Sequence, residues 1–293
     1  PVTSAPFRKY HGLGNDFVLF DGLGDSLPEA QLAHPALARR LCDRHRGIGA
    51  DGLLLVLPPS STLADARMRI INADGSEPEM CGNGIRCVGK ALHDHGPGLR
   101  GRESLRVETG SGVLDITLRS GEDGLVATAT VDMGRPSFAP ADLPLDAPEP
   151  WIDRLLQVGA SCHRWTGVSM GNPHFVTFVS DAHGDLLDLG RTLGPVLETH
   201  DLFPNRTNVE LARMRGDEVD VVVWERGCGI TQACGTGACA VAAAAVETGR
   251  HPAGRALPVN LPGGTLRITV GADGAGVRME GPAVEVYRGQ IAL

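Results

Sequence analysis

The sequence predicts an α+β protein of two pseudo-symmetric domains, each a strand-rich sheet or barrel around a central helix, with an active site in the interdomain cleft. Three repeated features carry this expectation. GNDFVLF, beginning at Gly14, and GNPHFVTF, beginning at Gly171, each run a Gly-Asn turn into an apolar, aromatic-rich strand. CGNGIRCVGKAL from Cys81 and CGTGACAVAAAA from Cys234 follow at intervals of 67 and 63 residues. Nine residues before each Cys-Gly, a strand-like run ends on a polar residue, RMRII into Asn72 and EVDVVVW into Glu225. Three features in the same order are the signature of an internal repeat.

The elements follow in chain order from their apolar patterning. In the first half, strands are expected over 15–20, 52–57 and 67–71, with a peripheral helix near 36–45. After the first Cys-Gly-x-Gly the residues from Ile85 to Leu92 are small and apolar on all sides, the pattern of a buried helix. Strands over 104–118 and 125–131 complete this half. Pro136 to Pro150 holds five prolines and reads as an irregular surface connection. The second half repeats the series, with strands over 175–179, 207–212, 218–224 and 265–270, a peripheral helix over 185–199 and a buried helix from Ala238 to Val246. A final strand run over 276–287 returns to the first domain, so the expected domains are 1–128 completed by 276–293, and 129–275. At 293 residues the chain exceeds the size at which one core keeps growing.

Composition narrows the function. A net charge of -8 argues against a general phosphate-binding surface, so no nucleic-acid partner is expected. No stretch reaches the roughly 18 apolar residues of a membrane span, and PVTSAPFRKYHG lacks the apolar block of a signal peptide. A cytoplasmic enzyme without a membrane partner is the expectation. The seven cysteines, at 42, 81, 87, 162, 228, 234 and 239, form an odd set without the density of a disulfide scaffold.

The Cys-Gly-x-Gly turns point to the chemistry. A glycine-rich turn opening a helix presents unpaired N–H groups and the positive end of the helix dipole to an anion. With two such turns converging on one carboxylate, Cys81 and Cys234 would flank its α-carbon. Charge leaving that carbon as a proton is removed spreads into the carboxylate, where each oriented donor is worth roughly 3 kcal/mol. A thiol suits both proton removal and proton return, because its ordinary pKa, about 8.5, falls at a helix amino end. Cys42 and Cys162 read as small buried hydrophobes, and Cys87, Cys228 and Cys239, without a counterpart in the other half, as packing residues. Zinc is disfavoured by the spacing of Cys228, Cys234 and Cys239, since no Cys-x-x-Cys occurs. HGLG and GLGD lack the full dinucleotide fingerprint. Of the two lysines, Lys9 and Lys90, the second falls in the buried-helix pattern and makes a poor pyridoxal anchor.

GNDFV, NADGSEPEMCGNGIRC, GNPHFV, NVE, WERG and ACGTGACA together resemble the successive motifs of the diaminopimelate epimerase family, from about residue 8 to residue 245. The resemblance implies interconversion of LL- and meso-2,6-diaminopimelate without pyridoxal phosphate, metal or other cofactor, with a homodimer as the family's assembly. It makes Cys81 and Cys234 the acid/base pair and gives Gly82, Asn83, Gly235 and Thr236 the carboxylate of the reacting centre. Asn15, Asn72, Asn172, Asn208 and Arg226 match substrate-binding positions, Arg226 suiting a bidentate grip on the distal carboxylate. Glu225 is placed to take an ammonium group, and His174 resembles a residue that helps set the protonation of the site. In RHRGIGADG this chain has Gly52 where some members carry glutamine. Proline racemases and PhzF-like isomerases are the nearest alternatives, but a cyclic imino acid offers no distal groups for Arg226 and its neighbours. A thiol-redox binding protein, using the cysteine pair as a switch, is the alternative outside enzymes.

Overall fold

The computed structural model describes residues 4–23, 28–159, 161–272 and 275–293. Gly24 and Asp25 of the GLGD segment lie outside the described residues. In chain order the elements of the first half are β1 (Ser4–Gly12), β2 (Asn15–Asp21), α1 (Glu29–Leu32), α2 (Pro35–Cys42), β3 (Gly52–Leu57), β4 (Ala66–Asn72), α3 (Gly82–His95), β5 (Ser104–Thr109), β6 (Gly112–Ser120) and β7 (Val126–Asp132). The second half runs β8 (Arg154–Val158), β9 (Ser161–Ser169), β10 (Pro173–Phe178), α4 (Leu186–Glu198), β11 (Asn208–Arg215), β12 (Glu218–Glu225), β13 (Gly229–Ile230), α5 (Gly235–Glu247), β14 (Ala256–Leu261), β15 (Gly264–Val270), β16 (Val277–Pro282) and β17 (Val284–Ala292). Two compact units result, Pro1–Val131 with Glu280–Leu293, and Asp132–Met279.

The first unit strings its strands by pairing β17 with β1 and β1 with β2 antiparallel, β2 with β3 parallel, β3 with β4 antiparallel, β4 with β5 parallel, and β5 with β6 antiparallel. The second unit repeats the alternation: β8 with β9 and β9 with β10 antiparallel, β10 with β11 parallel, β11 with β12 antiparallel, β12 with β14 parallel, and β14 with β15 antiparallel. Register repeats as well. In β4 the parallel pairing begins at Ala66, in β12 at Val219, each six residues before the polar strand end at Asn72 or Glu225.

Each unit wraps its strands about one helix. Thirteen of the fourteen residues of α3 are buried, from Gly82 to Asp94, and it packs on β1 to β6 and β17. The alanine-rich α5 is buried along Ala238–Ala245 and packs on β9, β10, β11, β14 and β15. Small side chains let backbone and strands approach closely; at Gly89 an added Cβ would meet Ile116 and Leu118 at 3.2 Å. Lys90 lies inside α3, where Nζ donates to Val126 O at 2.7 Å and pairs with Asp94 at 2.8 Å. Its charge pins the helix to β7.

The structure departs from the expected elements where turn chemistry or charge hid the pattern. The run over 104–118 is a hairpin, broken between Thr109 and Gly112, the latter at φ +111°. The run over 276–287 divides at Ala283, and β17 then turns back along β1. The strands β1, β8, β9, β13 and β14 were not expected, nor was the short α1. In β1 the inward series includes Lys9, only 6% exposed because Asp16 pairs with it at 2.6 Å. Cys162 is exposed rather than buried, since it falls on the outward phase of β9, and Cys228 is exposed in the turn after β12. Cys42, Cys87 and Cys239 are buried. Among the described helices none is long and apolar enough to cross a membrane.

Candidate active site

Each unit assembles the same corner from its repeated motifs. Leu13 and Gly14, both at positive φ, close the tight turn that joins β1 to β2 and sets Asn15 at the strand start. Gly171, at φ +90°, does the same for Asn172 before β10. A cysteine then caps the central helix. Cys81 and Cys234 are both extended, at φ −143° and −120°, so each side chain turns back over the first helical turn. Gly84 N–H donates to Cys81 Sγ at 3.4 Å and Gly237 N–H to Cys234 Sγ at 3.3 Å. Sulfur occupies the place an oxygen takes in an ordinary cap, which puts each thiol against unsatisfied first-turn N–H groups.

In the first unit Cys81 is half-buried and its Sγ lies 3.8 Å from Asn15 Oδ1. Asn15 is fixed at both ends: Oδ1 accepts from Asn83 Nδ2 at 3.0 Å, and Nδ2 donates to Asp51 Oδ2 at 2.8 Å. Asn83, on the first turn of α3, is itself held by the fully buried Arg86, which donates to Asn83 Oδ1 at 2.9 Å and to Gly82 O at 3.0 Å. Asn72 donates to Ser76 Oγ at 3.0 Å. Gly52 pairs with Asn72 across β3 and β4, and a Cβ there would meet Ile71 O at 2.8 Å. The close backbone approach of β4 therefore calls for glycine, and Asp51 supplies the side chain that touches Asn15.

In the second unit Cys234 is 6% exposed. Burial pushes its thiol well above the ordinary value, with Glu225 and any ionised Glu210 adding to the effect, while Thr236 and the Gly237 N–H oppose it. Thr236 Oγ1 lies 3.5 Å from the sulfur, and Asn172 Nδ2 donates to Thr236 Oγ1 at 3.4 Å. Asn172 Oδ1 in turn contacts His174 Nε2 at 3.0 Å. Asn208 spans the corner, donating to Pro173 O at 2.9 Å and accepting the Arg226 N–H at 2.8 Å. Arg226 Nη1 donates to Asn205 O at 3.2 Å, and Thr231 donates its hydroxyl to Glu225. Gly235 opens α5 beside Thr236.

The structure thus gathers Asn15, Gly82 and Asn83 around Cys81, with Asn72 ending β4. In the second unit Thr236, Asn172 and His174 form a chain from Cys234, Glu225 bears on its thiol and Gly235 opens α5, while Asn208 ties Pro173 to the Arg226 N–H and the Arg226 guanidinium reaches Asn205 O. Sequence reasoning missed Asp51 and Glu210. Glu210 Oε1 lies 2.6 Å from His174 Nδ1, and both side chains are wholly buried. Its signal was present: an acid at an inward position of the apolar run NVELARM, next to a strand that carries a histidine. Among the described residues no cluster of three or more histidine, cysteine or acidic side chains is arranged to hold a metal.

The family described as diaminopimelate epimerase matches residues 7–139 and 166–286. A diaminopimelate epimerase of Desulforudis audaxviator is 51% identical over 289 residues, covering 97% of this chain and 98% of that one. Another, of Moorella thermoacetica, is 48% identical over 98% of this chain and 99% of its own. Among solved structures, a hydroxyproline epimerase from Agrobacterium vitis covers 100% of this chain and 93% of its own with a TM-score of 0.70 at 18% identity. A PhzF-family protein of Bacillus anthracis, 19% identical, also has a TM-score of 0.70 and covers 100% of both chains. These two share the fold alone. On the family match and on near-complete alignment with its relatives, the chain belongs to the diaminopimelate epimerase family.

Proposed function

We propose that this chain interconverts LL- and meso-2,6-diaminopimelate by passing protons between the α-carbon and two thiols, Cys81 and Cys234, with no cofactor. The observation that carries the reading is the duplicate cap: two cysteines, each accepting the N–H of the third following residue at the mouth of a buried helix. In this reading the substrate carboxylate is held by first-turn N–H groups of α3 and α5. The N–H groups at Gly82, Asn83, Gly235 and Thr236 bind it and stabilise the charge that reaches it as the proton leaves.

Cys234, its thiol raised by burial, is suited to return a proton to one face of the α-carbon while Cys81 removes one from the other. For the reverse direction the roles exchange. An ammonium group beside Glu225 offsets the carboxylate that disfavours a Cys234 thiolate, so bound substrate itself eases that exchange. Arg226 grips the distal carboxylate, with Asn15, Asn72, Asn172 and Asn208 ordering the remaining polar groups, and His174 acts on the protonation of the Cys234 side. The substrate is a small molecule; neither nucleic acid nor membrane takes part. We place the enzyme in the cytoplasm, where reducing conditions keep both thiols free, as a homodimer in keeping with its family.

The test incubates LL-diaminopimelate with metal-free, pyridoxal-free protein in deuterated water and follows inversion and α-carbon label together. Inversion with label acquired at the inverted centre is the expected result. Absence of both removes the function, and inversion that persists at the wild-type rate in Cys81→Ala or Cys234→Ala removes the assigned roles.

A further inference from the structure

Glu210 of β11 ends a hydrogen-bond chain that reaches the Cys234 sulfur. Four contacts compose it: Glu210 Oε1 to His174 Nδ1 at 2.6 Å, His174 Nε2 to Asn172 Oδ1 at 3.0 Å, Asn172 Nδ2 to Thr236 Oγ1 at 3.4 Å, and Thr236 Oγ1 to Cys234 Sγ at 3.5 Å. An amide oxygen only accepts, so its contact with Asn172 places a proton on His174 Nε2. One further proton must then lie between Glu210 and His174 Nδ1, and the pair is net neutral wherever that proton sits. Glu210 Oε2 is buried and has no hydrogen-bond partner among the described residues, the Phe175 backbone giving the carboxyl only a minor pull toward the ionised form. On an ionised carboxylate that oxygen would bear largely uncompensated charge, whereas on a carboxylic acid it is a carbonyl oxygen, far cheaper to bury. Burial also pushes the Glu210 carboxyl upward. The proton belongs to Glu210.

We propose that Glu210 is a positioning residue which, as a neutral acid donating to His174, sets the direction of every hydrogen bond between itself and Cys234. With Nδ1 occupied as an acceptor, His174 must donate from Nε2. Asn172 then turns its NH2 toward Thr236, whose hydroxyl accepts that bond and keeps its own proton for sulfur. The reverse polarity would flip Asn172 and turn the Thr236 proton away from Cys234. Donation to sulfur favours the thiolate, so the chain lowers the cost of using Cys234 as a base. The titratable groups bearing on the sulfur are Glu225, at the end of β12, and Glu210 itself, with His174 of β10 between Glu210 and Asn172. Glu225 opposes the thiolate; the neutral chain supports it. This inference rests on Cys234 serving as an acid/base.

The experiment measures the pH dependence of iodoacetamide labelling at the Cys234 peptide by mass spectrometry, in wild type, Glu210→Gln and Glu210→Met, each first shown to be folded by circular dichroism. Glu210→Leu serves if the methionine variant does not fold. Glutamine can present an N–H to His174 as the acid does, so Glu210→Gln keeps the wild-type midpoint. The apolar variant frees the tautomer, and its midpoint rises by about one pH unit, a tenfold loss of thiolate at fixed pH. Removing an ionised neighbour would instead lower the midpoint. A fall in either variant, an unchanged midpoint in the apolar variant, or a rise in Glu210→Gln overturns the proposal. Turnover is not the readout, so a Cys234→Ser protein that still epimerises at the wild-type rate would refute the acid/base reading separately.

Discussion

Glu198, the last residue of α4, accepts the Trp224 indole N–H on Oε2 at 2.7 Å and the Gly227 N–H on Oε1 at 2.9 Å. One carboxylate therefore holds the residues on either side of Glu225 and Arg226, the pair that takes a substrate ammonium group and the distal carboxylate in the proposed function. Hydrogen bonds to a charged group contribute about 1.5–3 kcal/mol. Glu198→Ala is expected to lower the melting temperature and raise KM for diaminopimelate about tenfold, with kcat falling less, because the turn loosens while Cys234 keeps its cap. Steady-state kinetics beside thermal unfolding check this. A lowered melting temperature with unchanged KM would show that Glu198 serves only the fold.

Gly84 and Gly237 occupy equivalent places three residues after each cysteine, yet they do not tolerate a methyl group equally. At Gly237 an added Cβ would meet Glu210 Oε1 at 3.0 Å and Cys234 Sγ at 3.2 Å; at Gly84 it would meet Leu54 Cδ2 at 3.1 Å and Cys81 Sγ at only 3.7 Å. Gly237→Ala must displace the thiol or the acid behind it, and misplacing a reacting group by about 1 Å costs on the order of a hundredfold. Gly84→Ala presses on a leucine side chain that can yield. The expected result is a kcat loss of about a hundredfold for Gly237→Ala and less than about tenfold for Gly84→Ala. Comparable losses in the two variants would contradict it.

The contrast between these glycines shows what could be read in the amino-acid sequence and what could not. The duplicate Cys-Gly-x-Gly motif gave both central helices and both cysteines, because spacing survives in one dimension. β3, β11 and β12 were legible because their runs are apolar and bounded by turns. β1 was not, since it turns Lys9 inward, and Asp16, placed against it across the β1–β2 turn, together with the Gly49 carbonyl makes that burial tolerable. Glu210 escaped for a related reason. A buried acid reads as an exposed strand position until its partner is known, and His174 becomes that partner through the parallel pairing of β10 with β11. Asp51 is likewise defined by contact with Asn15 rather than by neighbours in sequence.

Asp16 provides a pH-dependent support for the first unit. Burial alone would raise its carboxyl, but hydrogen bonds from Arg44 and Lys9 outweigh this and hold it at about 2. The folded value lies below the ordinary aspartate value of about 3.9, so the stabilisation is present above that pH and is lost as pH falls toward 2. After allowance for solvent screening it amounts to about 1–2 kcal/mol. Asp16→Asn should unfold at lower urea concentration at pH 7, with the difference from wild type shrinking between about pH 4 and pH 2. A difference that stays constant across that window would refute the ion pairs as its source.

Gly52 tests whether this position of β3 can accept a side chain at all. A Cβ at this position would meet Ile71 O at 2.8 Å, a backbone atom of the paired strand, so β4 must move for any side chain to enter. The displaced strand ends at Asn72, which lies directly across from Gly52. Gly52→Gln is therefore expected to lose about 1–3 kcal/mol of stability and to gain no activity. Asp51→Ala makes the complementary case. It removes the 2.8 Å anchor of Asn15 without steric conflict, and it should lower kcat by about tenfold or more, with some loss of stability from the Arg44 and Asp16 N–H contacts that go with it. Urea unfolding and turnover of both variants decide the matter: a Gly52→Gln protein as stable as wild type and faster would show that β4 yields easily and that the glycine reflects no packing demand.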